Sequence, residues 1–136
     1  MSIKEIKARD KDKPLSVIAP DEKWIKKNLI IDVILAKYLP GPYTIILKKK
    51  NKNFLSHVSP TNTLGVRMPN SEFCKKIQKS GVPFITTSVN LRGKSPAKTI
   101  NEIPRKITEK ADIIIDKGKL NGRPSTLIRG GEIIKR

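Results

Sequence analysis

The feature that most constrains this chain is a succession of short β-branched runs, each closed off by glycine, proline or a cap-forming residue. They are LSVIA from Leu15, YTIIL from Tyr43 to Leu47, TLGVRM from Thr63 to Met68, the run Val82 to Thr86, and DIIID from Asp112 to Asp116. Runs this short and this branched read as strands, with Val82 to Thr86 expected as a buried, central one. Helix signals fill the gaps. Ser2 to Arg9 places Ile3 and Ile6 on one face; Pro20 and Asp21 open a segment through Trp24, Ile25, Leu29, Val33 and Tyr38, broken near Asn28 and ended by Pro40, Gly41 and Pro42. Asn70 or Ser71 can cap the next helix and Gly81 can end it. Thr99 or Asn101 can cap another that runs to about Lys110, with Pro104 in its first turn. STLIR and EIIKR flank Gly130 and Gly131, a two-residue hairpin signal. Strands and helices alternate through the middle and a hairpin closes the chain. The expected fold is therefore α/β, a mixed sheet flanked by helices, in the single domain that 136 residues accommodate.

Several classes of function are set aside by composition. One cysteine, Cys74, allows no internal disulfide, and one histidine, His57, allows no Cys/His metal cluster. Cys74 in SEFCKKIQKSG reads as a small buried hydrophobe, and His57 as a loop residue. The longest apolar run, Leu29 to Tyr38, is broken by Asp32 and Lys37 and is too short to span a bilayer. MSIKEIKARDKDK has no signal-like stretch, so a soluble, cytoplasmic protein is expected.

Twenty-nine Lys and Arg against twelve Asp and Glu give a net charge of +17, which attracts polyanions such as RNA or nucleotide phosphates. The charge is spread along the chain, and the few aromatic residues argue against a stacking single-strand binder. Taken alone, the run Lys7, Arg9, Lys11, Lys13 reads first as a solvated loop, and Lys48 to Asn53 as a solvated, charged turn or excursion.

The chemistry-bearing stretch is VPFITTSVNLRGKSP. After the strand come Thr86, Thr87, Ser88 and Asn90, then Arg92, Gly93, Lys94 and Ser95. Hydroxyls, an amide, a glycine and cations in so few residues suit a phosphate-bearing ligand. A solvated loop with turn chemistry fits them too. Arg67, among apolar neighbours just before Pro69, needs an anionic partner if buried: a ligand or an internal carboxylate.

Taken in order, K-x-R at Lys7 and Arg9 followed by KPLSVI, PGPYTIIL at Pro40 to Leu47, TLGVRMP at Thr63 to Pro69, S-x-N at Ser88 and Asn90, SP at Ser95, and RPSTLI resemble the YrdC family, the TsaC-type threonylcarbamoyl-AMP synthases of tRNA modification. The resemblance implies a twisted open mixed sheet flanked by helices with a basic cavity. It also implies the joining of L-threonine, bicarbonate and ATP into threonylcarbamoyl-AMP with release of pyrophosphate. By the same resemblance Lys7, Arg9, Ser88 and Asn90 hold the nucleotide phosphates and developing charge, acting by positioning and electrostatics. Thr63 and Ser95 touch the nucleotide. Arg67, Thr86 and Ser125 hold threonine, Arg67 through its carboxylate. A late nucleotide-binding arginine corresponds to Arg136 or Arg129. Mg2+ arrives with ATP, and the implied partners are tRNA or double-stranded RNA and a downstream threonylcarbamoyl transferase.

The chain departs from the family pattern at its start, where a PTDTVYGL-like strand and loop usually lead into the K-x-R helix. On that basis the chain is expected to be incomplete at its N-terminus and to bind nucleotide weakly, without efficient synthesis until such a segment is restored. Val89 stands where the family usually has Ala, and Asp10 where Pro often follows the arginine. The rival readings are a non-catalytic double-stranded RNA-binding module and the carbamoyl-AMP chemistry of hydrogenase maturation.

Overall fold

The structure, a computed structural model, describes residues 3–7, 13–91 and 93–135. Contacts group the chain into two compact units, residues up to Lys13 with Ser88–Arg123, and Pro14–Thr87 with Pro124–Arg136.

The second unit contains a mixed sheet. Its strands are β1 (Ser16–Ile18), β2 (Leu29–Ile30), β3 (Tyr43–Lys49), β4 (Thr63–Arg67), β5 (Phe84–Thr86), β6 (Thr126–Arg129) and β7 (Glu132–Ile134), in the order β5-β1-β4-β3-β6-β7 with β2 added on β3. β1 runs parallel to β4 and β3 parallel to β6, while β3–β4, β1–β5, β2–β3 and β6–β7 are antiparallel. The expected mixed, open α/β architecture is what forms. Gly130 and Gly131 both adopt positive φ, which the tight turn between β6 and β7 requires and a side chain would resist.

Register divides the sheet into two faces, because direct partners share a face and successive residues alternate. Val17 pairs with Val66, Val66 with Ile45, and Ile45 with Ile128, and all four are essentially inaccessible to solvent. Leu47 and Leu64 extend this apolar face. Each such aliphatic side chain contributes about 1.5–3 kcal/mol by leaving water. Helices α2 (Glu22–Asn28) and α4 (Glu72–Gln78) bury Ile25 and Cys74 respectively. Each starts where a side-chain oxygen meets its free N–H groups: Asp21 accepts from Trp24 N and Ser71 from Cys74 N. The break near Asn28 is real. Asn28 turns its amide back onto the Trp24 carbonyl, β2 follows, and Asp32 caps the short α3 (Val33–Ala36).

Four expectations need correction. β5 lies at the sheet edge, with Phe84 and Ile85 exposed, because among the described residues only β1 offers it a ladder partner. Asp112–Asp116 forms no strand; Ile113 is 80% exposed, and no strand of the described residues pairs with it. The expected single helix to Lys110 is two pieces, a 3-10 turn (Ile100–Glu102) and α5 (Arg105–Thr108). Pro104 forces the residue before it out of helical geometry, so Ile103 is extended at ψ 124. Finally, the lysine run at 48–53 is not wholly solvated. β3 continues through Lys49, which alternation turns onto the core face, where it is buried.

Candidate functional site

In the first unit, α1 (Ile3–Ile6) ends at Lys7, whose N–H donates to the Ile3 carbonyl at 3.1 Å. Lys7 is buried. Its Nζ donates to the Ser88 carbonyl oxygen at 2.5 Å, across 81 residues, and to Asn90 Oδ1 at 3.0 Å. Ser88 Oγ donates to the same Oδ1 at 2.6 Å, and Asn90 Nδ2 donates to the Lys94 carbonyl at 2.6 Å. Both ends of the Asn90 amide are thereby fixed. The loop beyond it folds back, with Ala97 N donating to Val89 O at 2.9 Å and Gly93 at positive φ. The K-x-R lysine and both named residues of S-x-N therefore form one hydrogen-bonded cluster. Ser95 is exposed in the same unit. Arg9 and Arg136 lie outside the described residues.

In the second unit the hydroxyl-rich face of the sheet opposes the apolar one. Ser16 Oγ lies 3.2 Å from Thr86 Oγ1 across β1 and β5. Thr44 Oγ1 lies 2.6 Å from the Oγ of Ser125, a buried residue just before β6. Thr63 and Arg67 take the same face at the two ends of β4, separated by four residues, or about 13 Å. Between them Gly65 keeps the floor closed, since a Cβ there would stand 3.2 Å from Ser16 Cβ and 3.4 Å from Thr44 Cγ2. Register places Arg67 beside Ile18, and Thr44 precedes Ile45, the partner of Val66. Thr44, Ser125 and Arg67 thus gather toward one end of the strands and Thr63 lies at the other, with Thr86 level with Gly65. Arg67 is half-buried with its Nε shielded from solvent.

Ser16 and Thr44 escaped the sequence reading as site residues. Each is one polar residue in a mostly apolar strand, and only the register puts them on the face that also carries Thr63 and Arg67. His57 is exposed and Cys74 is buried. Arg129, at the end of β6, is exposed and pairs with Glu132 in register. No helix among the described residues is long and apolar enough to cross a membrane.

The class this geometry defines is an α/β domain with an open mixed sheet, one face of which carries hydroxyls and an arginine. The Sua5/YciO/YrdC family model, described as telomere recombination, matches residues 1–135, and the chain belongs to that family. A Methanocaldococcus jannaschii protein provisionally named threonylcarbamoyl-AMP synthase is 38% identical over 129 residues, covering 91% of this chain and 60% of that protein. The crystal structure of Pyrococcus abyssi Sua5 complexed with L-threonine superposes with a TM-score of 0.79 at 29% identity, over 96% of this chain and 40% of that one. Escherichia coli YciO, 21% identical, shares the fold with a TM-score of 0.79 over 98% of this chain and 70% of its own. The chain spans 60% and 63% of the lengths of its Methanocaldococcus and Vibrio vulnificus relatives.

Proposed function

We propose that this chain handles nucleotide and threonine in L-threonylcarbamoyladenylate synthesis. L-Threonine's amine and bicarbonate give a carbamate with loss of water. A carbamate oxygen then attacks the α-phosphorus of ATP, the bond to the β-phosphate oxygen breaks, and pyrophosphate leaves. The product serves the threonylcarbamoyladenosine modification of tRNA next to the anticodon, through a downstream threonylcarbamoyl transferase.

The observation that carries this reading is the Lys7–Ser88–Asn90 cluster, because it joins the two segments to which the resemblance assigns the phosphates. A buried ammonium fixed by two oxygens is preorganised to meet charge that develops as pyrophosphate departs, with little rearrangement during the reaction. Arg9 and Ser95 join it at the nucleotide in this reading, with Arg136 or Arg129. Arg67 pairs with the threonine carboxylate, and Thr86 and Ser125 help hold the amino acid. Support for that half comes from their common face and from the Pyrococcus relative, which was crystallised with L-threonine. Mg2+ enters as a component of the ATP substrate, bound through its phosphates.

The test is ATP-dependent pyrophosphate release that requires both threonine and bicarbonate, assayed on this chain and on one extended upstream by a PTDTVYGL-like segment. Release that needs both substrates, in either form, supports the reading. Carbamoyl phosphate replacing both would redirect the chain to hydrogenase-type carbamoyl-AMP chemistry, and failure of both forms to bind ATP would overturn the reading.

A further inference from the structure

We propose that Thr44 is a positioning residue for the amino-acid half of the site, holding the Ser125 hydroxyl in one orientation toward the bound substrate. This rests on the reading that Ser125 helps hold L-threonine.

The sheet brings the two residues together across 81 positions of sequence. β3 and β6 run parallel with Thr44 beside Leu127, and Ser125, two residues before Leu127, takes the same face by alternation. Thr126 N–H donates to the Pro42 carbonyl at 3.0 Å, so the backbone just after Ser125 is tied to the chain entering β3. With both backbones held, the side chains meet at 2.6 Å, at the short end of hydroxyl to hydroxyl contacts, and both residues are buried. A hydrogen bond of this length selects one of the three staggered positions open to a serine side chain.

What fixes Thr44 itself is its methyl group. Threonine carries two heavy atoms on Cβ, so placing one places the other. Thr44 Cγ2 lies toward β4, where it would stand 3.4 Å from a Cβ at residue 65, a space that glycine leaves open. The hydroxyl is thereby sent the other way, to β6 and Ser125. β4 and β6 are two strand spacings apart, about 10 Å. Arg67 and Ser125 lie toward the same end of those strands, across a gap that an arginine side chain and a small amino acid fill together. Thr44 stands between them on β3, its methyl against one neighbouring strand and its hydroxyl against the other. Its influence on the substrate therefore runs through Ser125.

Calorimetric titration of the full chain, with L-threonine and separately with ATP, tests this in the wild type, Thr44→Val, Thr44→Ser, Ser125→Ala and the double variant Thr44→Val with Ser125→Ala. Thr44→Val keeps the shape and loses the hydroxyl, and should bind L-threonine roughly three- to tenfold more weakly, the range for one neutral hydrogen bond, with a smaller change or none for ATP. Thr44→Ser should recover most of that loss. The double variant should bind L-threonine no more weakly than Ser125→Ala alone. Urea midpoints identify a variant that fails to fold, and Thr44→Ala then takes the place of Thr44→Val. Wild-type threonine affinity in Thr44→Val, equal losses for threonine and ATP, or losses that add in the double variant would overturn the positioning role alone. A wild type that binds no L-threonine, or a Ser125→Ala that binds it as the wild type does, would overturn the threonine reading of Ser125 and the proposal with it.

Discussion

Lys7 and Lys49 are both buried lysines, yet they meet their surroundings differently. Lys7 has Asn90 Oδ1 and the Ser88 carbonyl at its Nζ, in a loop rich in further polar groups. Lys7→Ala should weaken ATP binding by about 1–3 kcal/mol, the range for a lost charge-assisted contact, and Ser88→Ala should cost less. Calorimetry reads both. Unchanged affinity in Lys7→Ala would return the cluster to a purely structural role. Lys49 points into the core, and burial lowers its pKa from the ordinary lysine value of 10.5. The folded state then releases this proton before the unfolded state does, so between the lowered value and 10.5 the unfolded chain binds more protons and stability rises with pH. Below that window both states are protonated and the full cost of the buried charge is present. In urea unfolding the wild type should therefore gain on Lys49→Met as pH climbs toward 10.5. A stability difference that stays flat with pH would mean the ammonium is not penalised by its site.

Among elements, β4 is the most constrained, since it lies between β1 and β3 and carries glycine at its midpoint. Gly65→Ala would bring a methyl group within 3.2 Å of Ser16 Cβ and 3.4 Å of Ile46 Cδ1. Overpacking of this kind costs about 1–3 kcal/mol. A lowered urea midpoint with unchanged slope is the expected signature, and an unchanged midpoint would show that β1 yields freely. Gly65 was legible only as part of TLGVR, because nothing in one sequence says which neighbour comes close. Local chemistry was legible wherever one residue decides the outcome: Asp21 and Ser71 as caps, and Gly130 with Gly131 as a turn. Partnership was not. DIIID has the β-branched composition of a strand, but a strand needs a ladder partner, and propensity cannot supply one. The same limit misplaced Val82 to Thr86, whose apolar residues resemble those of a central strand while β5 sits at an edge. Lys7, Ser88 and Asn90 could be grouped from sequence only through the family's motifs, since 81 residues separate the lysine from the serine whose carbonyl it meets. Ser16 and Thr44 required the register itself.

At the scale of the whole molecule the net charge of +17 favours every polyanion, so RNA binding alone says little about function. Salt dependence separates the rival functions. A module built to hold a duplex neutralises many phosphates and releases their counterions; with six or more contacts, affinity falls on the order of a thousandfold between about 50 and 200 mM salt. A nucleotide site is different in kind. In the proposed reading ATP brings few charges to a small set of donors, including a cation already fixed by Ser88 and Asn90, so its affinity should fall far less over the same range. The expected outcome is that RNA binds at low salt, loses nearly all affinity by physiological ionic strength, and leaves ATP affinity little changed. Lys7→Ala should then weaken ATP strongly and RNA only by one cation among many. Salt-resistant RNA binding that ATP cannot displace, lost in Lys7→Ala, would instead make the Lys7–Ser88–Asn90 cluster part of an RNA-holding surface and favour the non-catalytic module.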